Sequence, residues 1–482
     1  MKKYMAAGAA KYMVAAAAGL VLVTGCKDST AVNPQDAPTA SQLTGALTRP
    51  GLQTLVLGII ERDRSAFSGN GATFPVITEI LARDAYRIDA SEPRYVSETL
   101  GGNPDPGSFA GGGGWTNFYT GIRAANTTLQ AVNAAPSGVL TAGEKSLTLG
   151  VVQTLKALEY YRVLELRDTI GIALQSDDPN STTPAPIICK EKALNYIAAL
   201  LDTANTNLVA AGTATTPFKL PPGYTSHGRD YSKAANFILF NRGLKGKVDV
   251  YRGLDHAAPS AAAFTAAITE LTQALGGAAP GTVPPSSFPN GVYNDFVPSG
   301  NEAAPNALPD AKLGLNPSVR DSILPGDTRI SKIVALPSNI TGQGLTIKDT
   351  YIGAVSTNSA NQSAPFPVLT DEELVLLRAQ AYIGAGQLAN ATADINDVHT
   401  FYGLAAYPTF TTASAAISAL LYDKRYSLLF EGAQRLVGLR AYGFLNATYH
   451  AKELPSDPFN SAFPIPKAEA DARGGQLAPS CS

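Results

Sequence analysis

The chain is poor in the residues that most often carry chemistry. Its 482 residues hold one tryptophan, three methionines, three cysteines and four histidines, and only 16% are charged. His227, His256, His399 and His450 are scattered, with no ligand partner at helical or turn spacing, so they compose no metal motif. With 37 basic groups against 39 acidic ones, there is no basic footprint for nucleic acid. There is no G-x-S-x-G elbow. Residues 138–146 (GVLTAGEKS) resemble a phosphate loop only superficially: Glu144 interrupts the Gly-Lys junction and no strand precedes it, so the segment reads as a helix start. Asp84, Asp89 and Glu92 are near neighbours in sequence, as are Asp177 and Asp178. Glycoside hydrolysis needs two carboxyls on opposite sides of a bond, and sequence adjacency does not supply that geometry. The expectation is a protein with no catalytic residue, no metal and no cofactor.

Long apolar runs are also missing beyond the N-terminus: none reaches the roughly 18 residues of a membrane span. The one candidate, Met13 to Val23, is too short, follows Lys2, Lys3 and Lys11, and ends in Val23-Thr24-Gly25-Cys26. That is the pattern of a bacterial lipoprotein signal, cleaved before a lipid-bearing Cys26. Residues 1–25 are therefore read as a signal peptide, and lipid at Cys26 as the only attachment to the membrane. Their removal takes three lysines and no acid, so 37 basic groups fall to 34 against 39 acidic. Residues 26–44 are polar, with Pro and Ser, and read as a flexible tether. Lys27-Asp28 is similar to the charged surface-export signal of Bacteroidetes-type lipoproteins. Cys189 and Cys481 remain, and either pair or stay as thiols.

The body of the chain, residues 45–482, reads as one helical domain. Leu147, Val151, Leu155, Leu158 and Tyr161 step by four, four, three and three, and Leu194, Ile197, Leu201, Ala204 and Leu208 repeat the period, as do Phe264, Ile268, Leu271 and Leu275. Thr141 with Glu144, and Thr370 with Glu373, are capping-box patterns, and Leu369 with Leu374 has the spacing of a hydrophobic staple. Residues 371–401 read as helix, Gly-containing turn and helix, a tetratricopeptide-like pair; residues 117–134 and 232–253 read as further members. Between helices, residues 92–114, 212–228, 276–327 and 337–367 are rich in Pro, Gly, Ser, Thr or Asn and read as long irregular loops. The fold class is mainly α: tetratricopeptide-like pairs form a scaffold, and the loops build a ligand face.

One stretch gathers the scarce charge. Residues 420–443 (LLYDKRYSLLFEGAQRLVGLRAYG) set Asp423, Lys424, Arg425, Glu431, Arg435 and Arg440 among Leu, Tyr and Phe. Read as one helix, it suggests a fold-holding ion pair of Glu431 with the basic residues, against packed surface. In residue order it resembles the closing helix of the SusD/RagB-like nutrient-binding lipoproteins. Further segments resemble that family in order: Trp115 to Asn126 (WTNFYTGIRAAN), Leu155 to Tyr161, Ala234-Ala235, Asp327 with Arg329, and Phe463-Pro-Ile-Pro466. Gly171-Ile-Ala-Leu174 departs from the family's strand in lacking a Pro. The resemblance implies a lipid-anchored protein on the outer membrane, facing the cell surface. It would partner a TonB-dependent outer-membrane transporter and close over captured oligosaccharide or peptide.

A sugar presents apolar ring faces and hydroxyls, so its site needs aromatic platforms beside Asp, Asn, Arg or Gln. Residues 84–115 offer Asp89, Arg94, Tyr95, Asn103, Phe109 and Trp115; a second cluster holds Tyr293 and Phe296. Asp89, Arg94, Tyr95, Trp115, Tyr293 and Phe296 are the expected ligand contacts. For Trp115 a packing role competes, since it opens an amphipathic helix. One tryptophan is a poor endowment for a polysaccharide platform, and Tyr-lined loops suit a peptide equally well. The alternative reading is a helical-repeat scaffold lipoprotein that mediates protein–protein contacts in the envelope.

Overall fold

Helix α1 (Arg49–Ser65) starts where the Thr48 hydroxyl accepts the Gly51 N–H and Pro50 occupies the first turn. This is the computed structural model of the chain; it describes residues 47–475 apart from 70, 109–113, 179, 180, 182, 301 and 302. The signal peptide, the tether, Cys26, Phe109 and Cys481 lie outside the described residues. Cys189 is disulfide-bonded.

The periodic segments are the long helices. After the buried α2 (Phe74–Leu81) come α3 (Thr116–Asn133), α4 (Ala142–Arg167), α5 (Lys190–Ala210), α6 (Ala234–Gly253) and α7 (Ala261–Ala274). The short α8 (Pro317–Asp321) precedes α9 (Asp371–Gly384), α10 (Leu388–Phe401), α11 (Ala413–Ser427), α12 (Gln434–Ala441) and α13 (Lys467–Ala472). Each long helix packs on the next: α3 on α4, α4 on α5, α5 on α6, α6 on α7, α7 on α9, and α9 on α10 and α11. Small residues set the close crossings. A Cβ on Gly246 of α6 would lie 2.5 Å from the Leu271 side chain of α7. The apolar core is one connected cluster running from Leu47 to Ile465.

Both capping signals mark true starts, with one difference. Thr141 and Glu144 form the full reciprocal box at α4. At α9, Thr370 accepts the Glu373 N–H, but the Glu373 carboxylate turns to Lys247, at 3.0 Å. Leu369 and Leu374 both border Gly243, where their methyl groups would meet an added Cβ.

Among the described residues four antiparallel two-stranded sheets sit in the connections: β1 (Ala85–Arg87) with β5 (Leu313–Leu315), β2 (Ile172–Ala173) with β3 (Ile187–Ile188), β4 (Gly291–Asn294) with β8 (Phe366–Thr370), and β6 (Ile333–Gly342) with β7 (Leu345–Tyr351). The last pair corrects the reading of residues 337–367 as irregular. Leu345 and Ile347 are buried while Thr346 and Lys348 are exposed, the alternation of a half-buried strand. Gln343 and Gly344 both have positive φ, as a two-residue hairpin turn of the primed type requires. The composition that suggested a loop comes from β6, where Pro337 falls in the register shift between Ala335 and Ile340, and from residues 356–367 beyond β7.

Residues 420–443 are not one helix. α11 stops at Ser427, Phe430 and Gly432 take left-handed φ values of 61° and 78°, and α12 restarts at Gln434. Glu431 sits in that turn, so the expected local pairing does not form. Arg425 instead donates to Asp84 at 2.7 Å, and Arg435 Nε lies 3.4 Å from the same carboxylate. Its neighbour Lys424 reaches Gln380 at 3.0 Å, and burial pushes its ammonium down to about 8. A second buried network lies alongside. The Arg329 guanidinium bridges Asp327 and Asp423, both at 2.8 Å, and donates to Ser427. His399 Nδ1 is 3.1 Å from Asp423. The turn after α8 is thereby held on α10 and α11.

Two consequences are testable. Arg329→Leu leaves Asp327 and Asp423 buried without their cation and lowers stability by about 3–5 kcal/mol, read from the urea midpoint. Burial pushes the Glu431 carboxyl up to about 8, above its ordinary value of 4.5. A carboxyl raised in the folded state contributes its full stabilisation below the unfolded value and loses it as pH rises through the folded one. Thermal melts of Glu431→Gln and the parent protein therefore diverge in favour of the variant between pH 4.5 and 8, with no further widening above it.

Candidate functional site

The six expected contact residues fall at three places. Asp89 follows β1, and its Oδ2 lies 3.0 Å from Arg87 and 2.7 Å from Lys312. Its Oδ1 accepts from the Ser91 N–H and hydroxyl. Hydrogen bonds from Lys312 and Ser91 hold this carboxyl well below the usual range. Tyr95 is 4% exposed, with the Arg87 guanidinium 4.3 Å over its ring, and burial pushes its phenol up to about 12. Arg87 thus joins Asp89 and Tyr95, while Arg94 donates to Glu92 at 2.7 Å.

Tyr293 lies in β4 and Phe296 just beyond it. Phe296 is buried. Tyr293 stacks on His227 at 4.0 Å and donates its hydroxyl to the Pro289 carbonyl at 2.6 Å. It borders a cavity of 470 Å³ shared with Gln53, Leu57, Arg64, Lys219 and Asp295. Gln53 is bound at both ends of its amide to the Lys219 backbone.

Trp115 opens α3 and is 5% exposed. Tyr119 lies 4.5 Å from its ring and Arg167 5.4 Å over it, with burial pushing that guanidinium down to about 9. Trp115 lines a different cavity, of 160 Å³, that shares no residue with the one at Tyr293. Asp89, Arg94 and Tyr95 line neither.

The cavity at Trp115 has the chemistry of a site. Trp115, Tyr119 and Arg123 are spaced by four along α3, with Asn126 three further on, which places them on one face. The opposite wall is the β2–β3 connection, with Gln175, Ser176 and Asp178; the third is α13 and its exit, with Glu469 and Arg473. Two phenols hold the connection in place: Tyr119 accepts the Ala173 N–H at 2.6 Å, and Tyr160 accepts the Gln175 N–H at 3.2 Å. Asn126 donates to the Ser176 carbonyl at 2.8 Å, which leaves its own Oδ1 buried and without a hydrogen-bond partner among the described residues. Arg473 donates to the Ala185 carbonyl and to Glu469.

An indole, a phenol, two amides, two guanidinium groups and two carboxylates thus converge on one space. They offer donors and acceptors at several angles, and suit a polyhydroxylated molecule. Among the described residues no group of three or more His, Cys, Asp or Glu stands close enough to hold a metal ion. No described helix is long and apolar enough to cross a membrane. Of the wall residues, sequence reasoning singled out only Trp115 as a contact. The four-residue spacing along α3 carries the signal for Tyr119 and Arg123. Nothing local points to Glu469 or Arg473, which tertiary packing brings to α3 from the other end of the chain.

No protein-family model matches the chain, and no curated protein matches it by sequence. Solved structures do match. A SusD superfamily protein from Parabacteroides distasonis superposes with a TM-score of 0.66 at 13% identity, over 89% of this chain and 98% of that one. Surface glycan-binding protein A from Bacteroides uniformis gives 0.65 at 14% identity, over 90% and 100%. A laminarin-binding SusD-like protein gives 0.62 at 17% identity, over 88% and 98%. These matches cover 88–90% of the chain, which has the mainly helical SusD-like fold.

Proposed function

We propose that this protein is a lipid-anchored, non-catalytic binder that captures oligosaccharide at the outer membrane and delivers it to a TonB-dependent transporter. Residues 1–25 are its signal peptide, Cys26 its lipid anchor, residues 26–44 its tether and residues 45–482 a single binding domain. The observation that carries the reading is the cavity at the head of α3, on a fold whose matched structures include glycan binders by name. Asn126 Oδ1 is a buried acceptor in that wall without a hydrogen-bond partner among the described residues, suited to a ligand hydroxyl. Side-chain amides and guanidinium groups around it supply further directional contacts, which distinguish one arrangement of hydroxyls from another. An oligosaccharide satisfies these groups better than an apolar peptide side chain would.

The mature protein, from Cys26 on, is expected to bind oligosaccharides in a calorimetric screen that also includes peptides. Gln175→Ala and Arg123→Ala should each weaken that binding about tenfold, a loss of ~1.4 kcal/mol. Expressed with an adjacently encoded outer-membrane barrel, the protein should co-purify with it. A protein that bound no oligosaccharide and never accompanied the barrel would defeat the reading.

A further inference from the structure

A second cleft, distant in sequence from the first, opens between α11, α12 and residues 444–450. It has a volume of 230 Å³, and its lining includes Tyr422, Arg435, Phe444, Tyr449 and His450. On its floor two arginines meet one carboxylate. Asp84 is fully buried, and Arg425 occupies both its oxygens, with Nε at 3.1 Å from each and Nη2 at 2.7 Å from Oδ1. Arg435 reaches that carboxylate less closely, with Nε 3.4 Å from Oδ2, and this buried Nε has no hydrogen-bond partner among the described residues. The other nearby acid, Glu79, accepts the Phe430 N–H, and burial beside Asp84 raises its carboxyl well above the usual carboxylate range. Burial and the adjacent Arg435 push His450 down to about 4, so it adds no charge at neutral pH, and its buried Nε2 has no hydrogen-bond partner among the described residues. Two guanidinium groups therefore share one carboxylate.

The rim is aromatic. Tyr449 stacks on Phe444 at 4.2 Å and is 55% exposed, second only to Val209 among the large apolar and aromatic side chains described. A planar guanidinium matches a carboxylate through two parallel hydrogen bonds, and an open aromatic face takes the apolar side of a sugar ring. We propose that this cleft is a subsite for a carboxylate-bearing sugar residue, with Arg435 on the carboxylate and Tyr449 against the ring. It rests on the reading of the protein as an oligosaccharide binder and narrows it to acidic glycans.

The test is calorimetry on the mature protein with digalacturonate, the neutral disaccharide galactobiose and a short peptide with a free C-terminal carboxylate. Digalacturonate should bind at least tenfold more tightly than galactobiose. Arg435→Gln should remove most of that difference, and Tyr449→Ala should weaken digalacturonate several-fold. Tyr449 is exposed, so its variant keeps the test valid if Arg435→Gln fails to fold, which circular dichroism reports. Equal affinity for the two disaccharides, or unchanged affinity in a folded variant, would overturn the inference. So would binding of the peptide in place of digalacturonate. If neutral oligosaccharides bind and respond to Gln175→Ala while digalacturonate does not bind, only this subsite falls. If no oligosaccharide binds at all, the proposed function falls with it.

Discussion

The carboxylate of Asp84 is where the two ends of this chain are joined. It sits after α2, and the arginines that reach it come from α11 and α12, Arg425 lying 341 positions away. Burial opposes its ionisation, yet Arg425 and Arg435 hold it below the usual carboxylate range. Such a group gains little net stability over an apolar replacement, because desolvation offsets most of the attraction. It does make alternatives costly: any packing that separates α2 from α11 strands a charge in the core. Arg329, bridging Asp327 and Asp423, applies the same constraint to the turn after α8, and Arg83 with Asp457 applies it to the segment after α12. The connections of this protein are held down by buried ion pairs as well as by apolar side chains of their own, such as Phe288, Leu313 and Phe463.

That constraint explains where the cavities lie. The helical stack is close-packed through glycine crossings and offers little space. Room appears at its edges, where a connection is pinned at a few polar points and cannot collapse onto the helices. Tyr119 of α3 and Tyr160 of α4 fix the β2–β3 connection through hydrogen bonds to its backbone. The same logic at α12 leaves Arg435 facing a cleft, because the nearer arginine has taken the carboxylate. In both places the residues that shape the space also give it polarity.

Helices were legible because their signals are local. The steps from Leu147 to Tyr161 and from Leu194 to Leu208 each describe one buried face, and Thr141 marks its start to the residue. The β6–β7 hairpin was missed because Pro337 and a register shift interrupt the alternation that would have revealed it. The charged stretch at residues 420–443 was recognised as a motif but misread as continuous helix. At its break, the N–H of Phe430 is taken by Glu79, far away in sequence. Of the expected contact residues, Asp89 and Tyr95 proved to be tied to each other through Arg87, and Trp115 to line a cavity while lying almost wholly buried.

By itself the sequence determined the helical class, the helix starts, the resemblance of ordered motifs to one family and the absence of a spanning segment in the body, because periodicity, capping and composition act over a few residues. Only the tertiary structure decided which carboxylate each arginine meets, and that Glu469 and Arg473 stand opposite α3. Those outcomes depend on long-range geometry and on competition for a buried charge, which no local spacing encodes.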